Sequence, residues 1–187
     1  LPINIVAVVS NRPQAAGLAY AQSQGLIAVA LDHTDYPDRA VFDARLADEI
    51  ERHQPDLVVL AGYMRILSAA FIARFEGRLL NIHPSLLPMF PGLKTHERAL
   101  DEGVKIHGCT VHFVTAQLDH GPIVIQAAVP VRADDTPESL AARVLEQEHR
   151  IYPRAIRWFA EGRLVNNCGR VNLKGDSRSQ SVLSTGS

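Results

Sequence analysis

Residues 57–61 read Leu-Val-Val-Leu-Ala, and Gly62-Tyr63-Met64-Arg65 follows at once. A continuous apolar run of this length, closed by glycine, reads as a strand buried on both faces. Working backward, Asp38 can cap a helix from about Arg39 to His53, ended by Gln54-Pro55-Asp56. Before it, Leu26–Leu31 is another strand. Gly25 stops an Ala-rich helix over Gln14–Gln24. Ile3–Ser10 (INIVAVVS) is β-branched and apolar, a third buried strand. Strand alternating with helix predicts an α/β fold with a mostly parallel central sheet.

Forward of residue 67 the pattern changes. Ser68 can cap a short helix to Phe75, and Leu79–Ile82 is a short strand. It runs into a segment where Pro84, Pro88 and Pro91 forbid a regular helix or central strand, so a long rigid loop is expected. His96–Glu102 is a short helix. Lys105–Val114 and Ile123–Val131 are strands joined by so short a loop that they should pair antiparallel. Thr136-Pro137 starts a helix to about Tyr152, which Pro153 should kink or interrupt before it resumes to Ala160. Beyond Asn167 the chain is polar and rich in Ser and Gly, and a disordered tail is expected there. This divides the chain into one domain over 1–166 and a tail over 167–187.

The bulk numbers narrow the class. The chain has 187 residues, 47% hydrophobic and 21% charged, which fits one compact domain with a real core. A formal net charge of −1 argues against nucleic acid as a partner. Cys109 and Cys168 form no CxxC pair. No run approaches the roughly 20 apolar residues of a membrane span. A cytoplasmic location is the expectation. His107 and His112, five apart on one strand, should face opposite sides, no HExxH spacing occurs, and no metal is expected.

Ligands of open α/β sheets bind beyond the C-terminal strand ends. Gly62–Leu67, Asn81 with His83, and the loop carrying Asp119 all collect there. Asn81 and His83 are two apart on an extended segment and so share a side. An amide can donate to a carbonyl oxygen as it becomes an oxyanion. A histidine can move protons near neutral pH, and an aspartate beside it favours the protonated ring. The set suits attack of an amine on a formyl carbon. The same residues also fit a turn former, a hydrogen-bonded core histidine and an Asp-x-Gly-Pro turn, so spacing alone leaves both readings open.

The run LLNIHPSLLPMFPGLKTH (79–96) resembles the signature of the phosphoribosylglycinamide formyltransferases, folate-dependent enzymes of purine synthesis. LVVLAGYMRIL (57–67), GCTVHFVTAQLDHGPIVIQ (108–126) and ARVLEQEHRIYP (142–153) resemble that family in the same order. The resemblance covers about Ile3–Leu164 and implies a Rossmann-like formyltransferase fold with an antiparallel C-terminal part. It implies 10-formyltetrahydrofolate as co-substrate and glycinamide ribonucleotide as acceptor. Asn81 would bind the formyl oxygen, His83 would be the general acid/base, and Asp119 would favour the charged histidine and order a water. Met64, Arg65, Ile66 and Leu67 would line the folate pocket. Thr115, Ala116, Gln117, Leu118 and Asp119 would close over the pterin, and Arg39 would contact the distal part of the donor. Leu145, Glu146, Gln147 and Glu148, with Gly62 and Pro84, would face the ribonucleotide.

The family begins with a further strand and a Gly-Ser-Asn-type loop that holds the substrate phosphate, and no such segment precedes Ile3 here. The expectation is that the natural protein has it, in the middle of the sheet. Direct pairing of the two strands that would flank it would contradict this. Other acceptors, as in methionyl-tRNA formyltransferase or formyltetrahydrofolate deformylase, fit less well: the tail is too short for a tRNA-binding domain, and PSLLP with GLKTH favours the glycinamide enzyme. An inactive folate-binding module is a third reading. The oligomeric expectation is a monomer or weak homodimer.

Overall fold

The computed structural model describes residues 3–175 and 180–184. β1 (Val8–Ser10) and β2 (Ala28–Ala30) pair in parallel across α1 (Ala16–Ser23) and form a small sheet of their own. α2 (Arg39–Arg52) starts where the Asp38 carboxylate accepts the Val41 N–H at 2.9 Å. β3 (Val58–Leu60) pairs in parallel with β4 (Leu79–His83) around α3 (Ala69–Arg74), which is capped by Ser68. After α4 (Thr95–Asp101), β5 (Ile106–Phe113) pairs antiparallel with both β4 and β6 (Ile123–Pro130). The larger sheet runs β3-β4-β5-β6-β9, with β9 spanning Ser181–Leu183. It is therefore mixed, its parallel pairs lying at the two ends and its antiparallel pairs at the centre. β1 and β3 do not pair with one another.

α5 (Pro137–Ala160) packs Leu140, Val144, Ile151, Ala155 and Trp158 on β5 and β6. Its start carries the expected cap, completed by Ser139. Pro153 does not interrupt it. A mid-helix proline costs about 3 kcal/mol, and the buried turns on either side of this one offset that. The Tyr152 hydroxyl reaches the Leu60 and Leu80 carbonyls at 2.7 and 3.0 Å, tying the helix to β3 and β4. A second apolar cluster joins Phe42 and Leu46 of α2 to Phe71, Ile72 and Phe75.

The expected loss of order beyond Asn167 is corrected for most of that segment. β7 (Leu164–Asn167) and β8 (Arg170–Leu173) form a hairpin, and Val171 and Leu173 are buried in the α5 cluster. β9 adds to β6 in parallel. The remaining residues of the expected tail lie outside the described ones.

Candidate active site

The register of β4 on β5 builds the site. Asn81 faces His112 and His83 faces Thr110, so all four side chains share one face at the C-terminal end of β4. Thr110 Oγ1 donates to Ser85 O at 2.7 Å and accepts the Leu87 N–H at 3.0 Å, which pins the proline-rich loop directly after His83. Gln126 of β6 braces the same loop through Leu87 O at 2.9 Å. Farther along, Arg98 donates to Pro91 O at 2.6 Å and stacks over the Phe90 ring.

Asp119 closes the site from the opposite side. It sits at φ 50°, a strained conformation for a residue with a Cβ. Gly121 allows the return: a Cβ there would lie 1.7 Å from Phe113 O. The Asp119 Oδ2 atom accepts the Gly92 N–H at 2.8 Å and lies 3.5 Å from His83 Nδ1. One carboxylate thus joins both loops and meets the imidazole. On its other edge, His83 Nε2 donates to Phe90 O at 2.9 Å. With Nε2 so committed, Nδ1 can donate to the carboxylate only in the imidazolium form.

His112 is the site residue that sequence reading missed. Burial holds its pKa below the usual histidine value, against the opposing pull of the Phe113 carbonyl and Asp119. A neutral ring whose Nδ1–H donates to Phe113 O at 2.9 Å presents an unprotonated Nε2. That atom is 3.3 Å from Asn81 Nδ2 and 4.0 Å from Asp119 Oδ1. It takes one Asn81 N–H, and no hydrogen bond is seen for the other among the described residues. Its only sequence signal is cross-strand register with Asn81, which needs the antiparallel pairing to be known.

The remaining expected residues are placed unevenly. Met64 and Ile66 are exposed beyond β3, and Leu67 is buried in the α2–α3 core, so only its backbone is free for a ligand. Arg65 lies with its guanidinium 5.3 Å over the Phe42 ring. Gly62 is exposed at positive φ, and Pro84 follows His83 half-buried. Ala116, Gln117 and Leu118 are exposed on the Asp119 loop, where the Thr115 hydroxyl donates to Gln117 O. Arg39 is exposed in the first turn of α2.

Residues 145–148 are consecutive on a helix and cannot all face one ligand. Leu145 and Glu146 are exposed, and Gln147 is buried. Glu148 is half-buried, close enough to Cys109 and Tyr152 to act on both electrostatically. Burial raises its carboxyl above the usual range, opposed by His149. Among the described residues, no group of three or more His, Cys, Asp or Glu is arranged to hold a metal ion, and no helix is long and apolar enough to cross a membrane.

An amide donor, an imidazole and a carboxylate meet at this strand end, and among the described residues no serine or cysteine is bonded to the imidazole. The arrangement suits direct passage of an acyl carbon between two substrates. The chain belongs to the formyl transferase family, whose model matches residues 1–156. It is 52% identical over 158 residues to the phosphoribosylglycinamide formyltransferase of Escherichia coli (strain K12), covering 84% of this chain and 74% of that one. It is 46% identical over 170 residues to the trifunctional purine biosynthetic protein adenosine-3 of Bos taurus, covering 90% of this chain and 17% of that much longer one. The crystal structure of glycinamide ribonucleotide transformylase 1 from Symbiobacterium toebii superposes with a TM-score of 0.89 at 53% identity, over 91% of this chain and 80% of that one.

Proposed function

We propose that the protein transfers the formyl group of 10-formyltetrahydrofolate to the amine of glycinamide ribonucleotide, a step of purine biosynthesis. The observation that carries this reading is the meeting of His83 and Asp119 at 3.5 Å beside an Asn81 amide oriented by neutral His112. The amine attacks the formyl carbon and the new C–N bond forms. The carbonyl oxygen becomes an oxyanion and accepts the free Asn81 N–H. The amine then loses a proton, N10 of the folate gains one, and the C–N10 bond breaks, releasing tetrahydrofolate. His83, held by Asp119, moves the proton. Glu148, a half-buried carboxylate that acts electrostatically on Cys109 of β5, orients the acceptor amine. The exposed Met64–Ile66 backbone and the Thr115–Leu118 loop receive the pterin, with Arg39 serving the distal end of the donor. A cytoplasmic location and a monomeric or weakly dimeric state belong to the same proposal.

The test mixes the chain with 10-formyltetrahydrofolate and glycinamide ribonucleotide and follows formylated product, with acceptor-free controls. Acceptor-dependent product is expected. Formate release at the same rate with and without acceptor would instead assign water as the acceptor.

A further inference from the structure

Asp43 lies in the middle of α2, 1% exposed, with no Lys or Arg ion pair among the described residues. An ionised carboxylate is costly to bury unless its partners repay it. One oxygen, Oδ2, accepts the Ser68 N–H at 2.6 Å, across 25 residues of sequence. The other, Oδ1, has no hydrogen-bond partner among the described residues. Two more buried polar groups, the Tyr63 hydroxyl and Arg65, belong to the turn that Ser68 ends and face one another there. Asp43 and Arg65 both act electrostatically on Tyr63. The Arg65 guanidinium also covers Phe42, the residue next to Asp43.

The arrangement is more than a helix cap. Ser68 already caps α3 through its own hydroxyl, with Phe71 N at 3.3 Å. Asp43 acts one step earlier, on the backbone that leads from the turn into the cap. Between Leu60 and Ser68 the turn has no strand partner, yet it presents Met64 and Ile66 outward. Its shape is set from below by three groups: Leu67 in the core, Arg65 on Phe42, and the Ser68 amide on Asp43.

We propose that Asp43 is a positioning residue for the donor side of the site, its carboxylate holding the Tyr63–Leu67 turn in the shape that receives the reduced folate. This rests on the assignment of that turn to the folate made above. Asp43 touches neither substrate, so its loss weakens donor binding and leaves the His83–Asp119 chemistry in place.

Asp43→Ala in the full chain is expected to raise KM for 10-formyltetrahydrofolate about tenfold, the size of one charge-assisted hydrogen bond. KM for glycinamide ribonucleotide and kcat at saturating donor are expected to stay within about threefold, the pattern of a lost uniform-binding contact. Asp43→Asn keeps an oxygen for the Ser68 N–H and should recover part of the shift. It carries the test if the alanine variant does not fold. Calorimetric titration with tetrahydrofolate separates this inference from the reading beneath it. If the unaltered protein binds no tetrahydrofolate, the donor assignment fails. If it binds, and both variants bind equally well, Asp43 is structural only and the inference is overturned. Equal rises in both KM values would overturn it too.

Discussion

The two halves of the molecule bury their strands differently, and β5, less apolar than β1 and β2, is buried more deeply than either. In β5 seven of eight residues, His107 to Phe113, are fully buried, each strand of the β4–β5–β6 core having neighbours on both sides and α5 above. In β1 and β2 no residue is fully buried, and Ile5 and Ile27 next to them stay about half exposed. Apolar composition therefore does not set burial; the number of partners does. The proposed site sits where partners are dense. Asn81 and His112 are each held by two ladders at once and His83 by the β4–β5 ladder alone, so their geometry inherits the rigidity of the antiparallel centre.

The comparison is sharpened most by removing the site residues themselves. His83→Ala and Asp119→Asn should each lower kcat by about 10²–10⁴-fold, with melting temperature little changed, as read by turnover and thermal denaturation. Retained turnover would place the chemistry elsewhere.

A pair of glycine substitutions contrasts the halves directly. A Cβ on Gly108 in β5 would lie 1.9 Å from Ala127 O, whereas one on Gly17 in α1 meets nothing within 4 Å. Gly108→Ala should destabilise by about 3 kcal/mol or more through overpacking. Gly17→Ala should be neutral or stabilise by up to about 1 kcal/mol, and denaturant melts compare the two. Equal effects would mean that the two halves are equally packed.

Acid should act on the dense half first. Burial, with His96 nearby, pushes His107 down to about 4, and burial lowers His112 as well. The unfolded chain takes up these protons near the ordinary value of 6.5, while the native state refuses them. The stability they protect is present above pH 6.5 and is lost as pH falls toward about 4, by about 2–3 kcal/mol for His107. His107→Gln should flatten that part of the stability–pH curve, and an unchanged curve would show that another group titrates there.

A smaller loss is expected at the seam. Tyr152→Phe removes the hydroxyl that joins α5 to the Leu60 and Leu80 carbonyls and should cost about 1–2 kcal/mol, with turnover preserved. Turnover that falls in step with stability would mean that the strand end bearing Asn81 depends on α5.

Legibility in the sequence followed the range of the interactions. Asp38, Ser68 and Thr136-Pro137 announce helices because capping is decided within four residues. Asn81 and His83 could be placed on one face from their spacing alone. His112 could not be placed, because its meaning depends on a partner 31 positions away across a ladder. Val171 and Leu173 hid in a polar stretch: two alternating apolar residues are too few to signal a strand until α5 offers them a surface. Asp43 looked like one more polar residue of an amphipathic helix, and only the fold brings Ser68 above it.

Asp119 Oδ2 accepts the Gly92 N–H and also faces His83. The molecule therefore contains its own indicator. The amide proton of Gly92 reports on the carboxylate that faces His83 from a loop 27 residues away, so its NMR shift would follow the Asp119–His83 contact and its exchange rate would report each parting of the two loops. Changes in that contact and loop opening could then be timed against each other on a single backbone resonance, without a label in the site.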